Sequence, residues 1–255
     1  MASCSDMYTW VDLPTYEWID SEIVTWGLCV DLLYQIYTDN NYVYAATSSG
    51  LNIISLQDQL KGAYVPYELG FSSVCGNNDK VYLGTFTDGI KYLYKSSISL
   101  NYDFPLDLSS SLFNFDSSYQ PSYDKINHIF LLDDIISIST DVGLDVISLH
   151  GQGFKSSVSS TKIIKSFLTS KREVYYISKE DYYQVNKVNS YLFDWTVPDK
   201  IFNANDDFVK GEVDIKDIYV SCDTSSVDGF NTLFMATSSG IYVLDEGDET
   251  CDFYY

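Results

Sequence analysis

Basic side chains are scarce in this chain. Lysine and arginine together number 15 against 36 aspartates and glutamates, for a formal net charge of −21. Sequence-independent nucleic-acid binding needs Lys and Arg to displace phosphate counterions, so that class is excluded. Histidine is scarcer still, with His128 and His150 only. No apolar run approaches the roughly 20 residues of a membrane-spanning helix, so membrane insertion is not expected. The N-terminus, Met1-Ala-Ser-Cys-Ser-Asp-Met-Tyr-Thr-Trp10, lacks the basic residues and apolar stretch of a signal peptide. The expectation is synthesis in the cytoplasm, with any exit by lysis or packaging into a particle. Five cysteines occur at wide spacings without a C-x-x-C pair, which predicts reduced, mostly buried thiols and no zinc site.

Aromatic residues are abundant. The chain holds 23 Tyr and 14 Phe in 255 residues, and 45% of it is hydrophobic, enough for a core and too much for disorder. The hydrophobic period is two rather than 3.6, which predicts strands. Ala46-Thr-Ser-Ser-Gly50 recurs as Ala236-Thr-Ser-Ser-Gly240, each time between two β-rich runs. Weaker copies are Val81–Leu93 around Gly89, Ile135–Ile147 around Gly143, and Val174–Val185 with Asp181 in the glycine column. Each copy reads as a hairpin whose Gly takes positive φ. The Thr-Asp-Gly and Asp-Val-Gly versions read as one residue longer than the Ser-Gly ones. An apolar run leads into every hairpin, and Ala63–Leu69 reads as a fourth strand.

The anchors at 50, 89, 143, 181 and 240 are spaced 39, 54, 38 and 59 residues apart, averaging 47.5. A four-stranded propeller blade takes about 40–50 residues. The fold expected is therefore all-β: one propeller domain over residues 1–255, with four-stranded antiparallel blades. Five blades are preferred and six are the alternative. The long intervals near 95–125 and 186–212 read as loops inserted on a propeller face. A strand from Tyr8–Leu13 or Ile23–Trp26 would close the ring by completing the last blade, leaving few open sheet edges.

The run Val43-Tyr-Ala-Ala-Thr-Ser-Ser-Gly-Leu-Asn-Ile-Ile54 resembles the short repeat of two-component-regulator-type propellers, which carry a comparable A-T-x-x-G-L hairpin. The resemblance covers the hairpins and implies the fold. More loosely, the acidic, Tyr/Ser/Asp-rich chain opening with Trp10-Val-Asp-Leu-Pro-Thr-Tyr-Glu-Trp18 is similar in style to uncharacterised structural proteins of tailed bacteriophages. That implies a place in a virus particle.

No constellation of catalytic residues stands out. His128 lies in an apolar run, His150 in a turn, and no G-x-S-x-G occurs. Glycoside-hydrolysing propellers converge acids around the channel, and Asp31, Asp133 and Asp217 lie near the leading strands. Asp245-Glu-Gly-Asp-Glu249 lacks the spacing of a calcium loop, and Gly151-Gln-Gly153 lacks a third glycine. No cofactor or metal is expected. Tyrosine and phenylalanine serve as low-entropy contact residues, which makes Tyr102, Phe104, Phe113, Phe115, Tyr119 and Tyr123 the candidate partner-binding set. The function expected is a non-enzymatic interaction module, a structural protein of a phage particle touching neighbouring subunits. The alternative is a carbohydrate-binding or glycoside-hydrolase-like propeller acting at the channel mouth.

Overall fold

A computed structural model describes residues 32–58, 61–100, 106–115, 125–149, 156–158, 161–171, 173–180, 182–188, 199–203, 214–222, 231–246 and 250–254. Two compact units, Met1–Phe115 and Asp116–Tyr255, carry two and three sheets respectively.

The first unit contains β1 (Leu33–Thr38), β2 (Tyr42–Thr47), β3 (Gly50–Ser55), β4 (Gly62–Pro66), β5 (Phe71–Gly76), β6 (Lys80–Thr85), β7 (Ile90–Tyr94), β8 (Leu106–Asp107) and β9 (Phe113–Asn114). Its sheets run β1-β2-β3-β4-β8 and β5-β6-β7-β9. The second unit contains β10 (Ile126–Leu132), β11 (Ile135–Thr140), β12 (Gly143–Ser148), β13 (Ser156–Val158), β14 (Lys162–Leu168), β15 (Val174–Lys179), β16 (Tyr183–Val188), β17 (Asp199–Asn203), β18 (Ile215–Cys222), β19 (Asn231–Thr237), β20 (Ile241–Asp245) and β21 (Thr250–Tyr254). These form three antiparallel four-stranded meanders in chain order.

The hairpin repeat is therefore real, and four of its five turns share their chemistry; Asp181, in the glycine column of the fifth, lies outside the described residues. Thr47 Oγ1 donates to the Gly50 carbonyl at 2.9 Å, Thr140 to Gly143 at 2.9 Å and Thr237 to Gly240 at 2.7 Å. Thr85 donates to Gly89 at 2.8 Å across a loop one residue longer. The Asp141-Val142 turn is not longer: Thr140 pairs directly with Gly143, as Thr47 does with Gly50. Gly50 and Gly240 sit at φ of 150° and 153°. A methyl group at either would overlap the carbonyl oxygen of the next strand, Val65 or Tyr254.

A second repeat was not read from the sequence. Every leading strand carries a register shift at the same place: Leu33/Gln35, Phe71/Ser73, Ile126/His128, Ile163/Lys165 and Ile215/Asp217. A bulge bends and twists its strand. Here it precedes a polar side chain each time: Gln35, Ser73, His128, Lys165, Asp217.

Three expectations need correction. The interval near 95–125 is not simply an inserted loop. It supplies β8, which pairs parallel with β4, and β9, which is the fourth strand of the second sheet. The interval near 186–212 likewise supplies β17 to the fourth sheet. The last sheet takes its fourth strand from β21, antiparallel to β20, rather than from the N-terminus. The proposed closing segments Tyr8–Leu13 and Ile23–Trp26 lie outside the described residues. Alternation did not reveal the two-residue strands because two residues carry no period.

In the first unit the core lies between its two sheets. Tyr44, Ala46, Leu51, Ile53 and Val65 meet Phe71, Val74, Val81, Leu83 and Leu93, all buried. In the second unit one cluster gathers Ile135, Leu144, Ile163, Val174 and Tyr176, and another Tyr175, Val185, Ile218, Leu233 and Met235.

Candidate interaction surface

Strand alternation divides the second sheet into two faces. Val81, Leu83 and Leu93 point into the core. Lys80, Tyr82, Tyr92, Tyr94 and Phe113 therefore share the other face, with Tyr82 opposite Tyr92 and Tyr92 opposite Phe113. Phe113 stacks on Tyr92 at 5.6 Å and 25°. Tyr94 stands edge-on to both, at 5.4 Å and 86° from Tyr92 and 5.7 Å and 70° from Phe113. The Lys80 ammonium lies over the Tyr92 ring at 4.4 Å and the Tyr94 ring at 5.1 Å. Phe113 is 45% exposed and Tyr94 38%, whereas Tyr82 is buried. Burial, reinforced by Cys75, pushes the Tyr82 phenol up to about 12.

Phe113 thus sits in an exposed aromatic corner. Phe115 does something different: half-buried, it packs edge-on against Tyr82 at 5.8 Å, and its N–H donates to the Ile90 carbonyl at 3.0 Å. Tyr102, Phe104, Tyr119 and Tyr123 lie outside the described residues. In the sequence Tyr92 and Tyr94 stand out as crowded tyrosines but read as packing residues of a hairpin, and Lys80 carries no signal, although i, i+2 spacing places all three on one face with Tyr82.

Of the acids suggested for a channel, the two described ones take local roles. Asp133 is a turn residue at φ 53°, and Asp31 lies outside the described residues. Asp217 accepts from Lys165 Nζ at 2.7 Å and from its neighbour Ile218 N–H at 2.9 Å. Buried His128 is pushed down to about 3 by its burial and by the Lys165 charge, and its Nδ1 has no hydrogen-bond partner among the described residues. His150 lies outside the described residues.

Two carboxylates do converge elsewhere. Lys187 Nζ meets Glu173 at 2.8 Å and Glu246 at 3.1 Å. Tyr175 donates to Glu246 at 2.9 Å, and Asn231 Nδ2 donates to Glu173 and Tyr175 at 2.7 Å each. The three charged side chains are only 13–14% exposed. Lysine occupies the middle of this pair, so the arrangement joins the fourth and fifth sheets rather than presenting an open acid. No local motif announced it, since Glu173 and Glu246 are far apart in sequence. The first unit has a simpler analogue, in which Asp39 takes Lys95 at 2.5 Å and Tyr44 at 3.1 Å. Among the described residues no three His, Cys, Asp or Glu side chains gather as metal ligands.

No protein-family model matches the chain, and no curated protein matches it in sequence. Solved structures do match in fold. The extracellular domain of BT4673 from B. thetaiotaomicron, described as part of a one-component or hybrid two-component system, superposes with a TM-score of 0.55 at 16% identity. That match covers 87% of this chain but 27% of the other. The WD40 propeller domain of Doa1 gives 0.55 at 11% identity, over 87% of this chain and 67% of the other. The N-terminal domain of Nup159 gives 0.53 at 9%, over 86% and 61%. The chain thus spans about a quarter of the BT4673 structure and about three fifths of Nup159's. Together with the five sheets, these likenesses define an all-β, propeller-like fold, in line with the regulator-type hairpin repeat.

Proposed function

We propose that this chain is a non-enzymatic interaction module: a five-bladed propeller, its ring closed, that serves as a structural component of a tailed-phage particle. The five sheets among the described residues support the count of five blades. The observation that carries the interaction reading is the aromatic corner of Tyr92, Tyr94 and Phe113. Exposed rings on a rigid sheet lose little entropy on binding, so they favour contact with a neighbouring subunit. Support for the particle comes from the style of the sequence, and support for an interaction domain comes from the propeller-like fold.

The test is affinity capture from particle-producing cells with the intact chain and with Phe113→Ala/Tyr94→Ala. The intact chain should retain a particle subunit in fixed stoichiometry, and the variant should lose it. Equal retention by both would contradict the role of the corner. The likeness to the extracellular domain of BT4673 favours a second reading, a sensing domain, which would bind a small ligand in place of a subunit.

A further inference from the structure

Beside the corner of this strongly acidic chain stand two lysines that pair with no described carboxylate. In most places a described lysine is already neutralised: Lys95 by Asp39, Lys165 by Asp217, Lys187 by Glu173 and Glu246. Lys80 and Lys91 are not. Lys80 rests on two aromatic rings, and Lys91 donates to the Asn114 amide oxygen at 2.6 Å. Among the described residues no carboxylate lies within 4.0 Å of either ammonium. The two lysines belong to opposite faces of the same sheet, Lys80 with Tyr94 and Lys91 with Asn114. Between those faces runs β9, the last strand of the sheet among the described residues, with both of its residues exposed.

An extended peptide beside an edge strand alternates its side chains between the two faces. We infer that this edge binds an extended acidic segment of a neighbouring protein, laid along β9. One apolar or aromatic side chain would enter the Tyr92–Tyr94–Phe113 corner, and carboxylates would reach Lys80 on one face and Lys91 on the other. The inference rests on the interaction reading above and names its partner's chemistry. The ring geometry favours peptide over sugar. Rings at 70° and 86° make a corner for a side chain, whereas a sugar stacks on a flat platform. An edge strand also offers main-chain hydrogen bonds, which a glycan cannot match in register.

The test is fluorescence polarisation on the full chain with a short labelled peptide, Glu-Glu-Phe-Glu-Glu, whose carboxylates fall on both faces of the extended strand beside one aromatic side chain. Its probes are that peptide, its Gln counterpart, and oligogalacturonate as an acidic glycan. The Glu peptide should bind, and the Gln peptide should bind about tenfold more weakly. Lys80→Gln/Lys91→Gln should weaken the Glu peptide roughly three- to tenfold, and added salt should do the same to the intact chain. Circular dichroism of each variant separates lost binding from lost folding. Equal binding of Glu and Gln peptides, still abolished by Phe113→Ala, would overturn the acidic partner while leaving the corner intact. Binding unaffected by Phe113→Ala would overturn the corner itself. Tighter binding of oligogalacturonate, or no saturable binding of the Glu peptide, would overturn the peptide.

Discussion

A threonine hydroxyl holds each of four hairpin turns, and burial sets what each is worth. Thr47 is fully buried and Thr237 half-exposed. Removing one partner of a buried hydrogen bond costs about 1–3 kcal/mol, and less where water can substitute. Thr47→Val should therefore destabilise by about 1–3 kcal/mol and Thr237→Val by about 1 kcal/mol or less in urea titrations. His128 makes a second residue-scale prediction. Its value in the fold, about 3, is below its free value of 6.5, so the folded state binds fewer protons. Its contribution is present above pH 6.5 and is lost as pH falls towards 3. Urea midpoints measured from pH 7 to pH 4 should fall for the intact chain, and less steeply for His128→Phe. Tyr44 and Tyr175 have the opposite sign. Burial first, then Asp39 for one and Glu246 and Glu173 for the other, raises both phenols well above 10. That stability is complete below pH 10 and is lost in more alkaline solution.

At the scale of the element, the hairpins were legible because their signal is local. Thr47 and Gly50 are three residues apart, so one short window holds the whole turn, and five such windows gave five sheets. The fourth strands were less legible. β9 has two residues, and β8 pairs with β4, a partner some forty residues back. The bulges were invisible because they shift register without altering composition. The corner was half legible: Phe113 was read, but its stacking partner Tyr92 was placed by a cross-strand register that no single segment encodes. The Lys187 cluster was not legible at all, since its members come from β15, β16, β19 and the residues beside β15 and β20. Breaking such a half-buried pair leaves a charge uncompensated, at a cost of about 3 kcal/mol or more. Lys187→Met should show this in thermal or urea melts, and the triple variant Lys187→Met/Glu173→Gln/Glu246→Gln should recover most of it.

For the whole molecule, 36 acids against 15 basic residues make assembly a matter of where the positive charge lies. Many described lysines are spent within the chain, holding turns and sheets together. A partner would meet a largely acidic surface with an aromatic corner at one sheet edge. Its contact should weaken as salt rises, because exposed charge pairs are screened beyond a Debye length of about 10 Å at 0.1 M. The fold alone would serve a sensor as readily as a scaffold, so the decision lies with what the chain is found bound to. Quantitative mass spectrometry of purified particles measures this directly. This chain should be present at a fixed, integral copy number relative to its neighbours, and should be lost from particles carrying Phe113→Ala/Tyr94→Ala. Its absence from intact particles would rule out a structural role there.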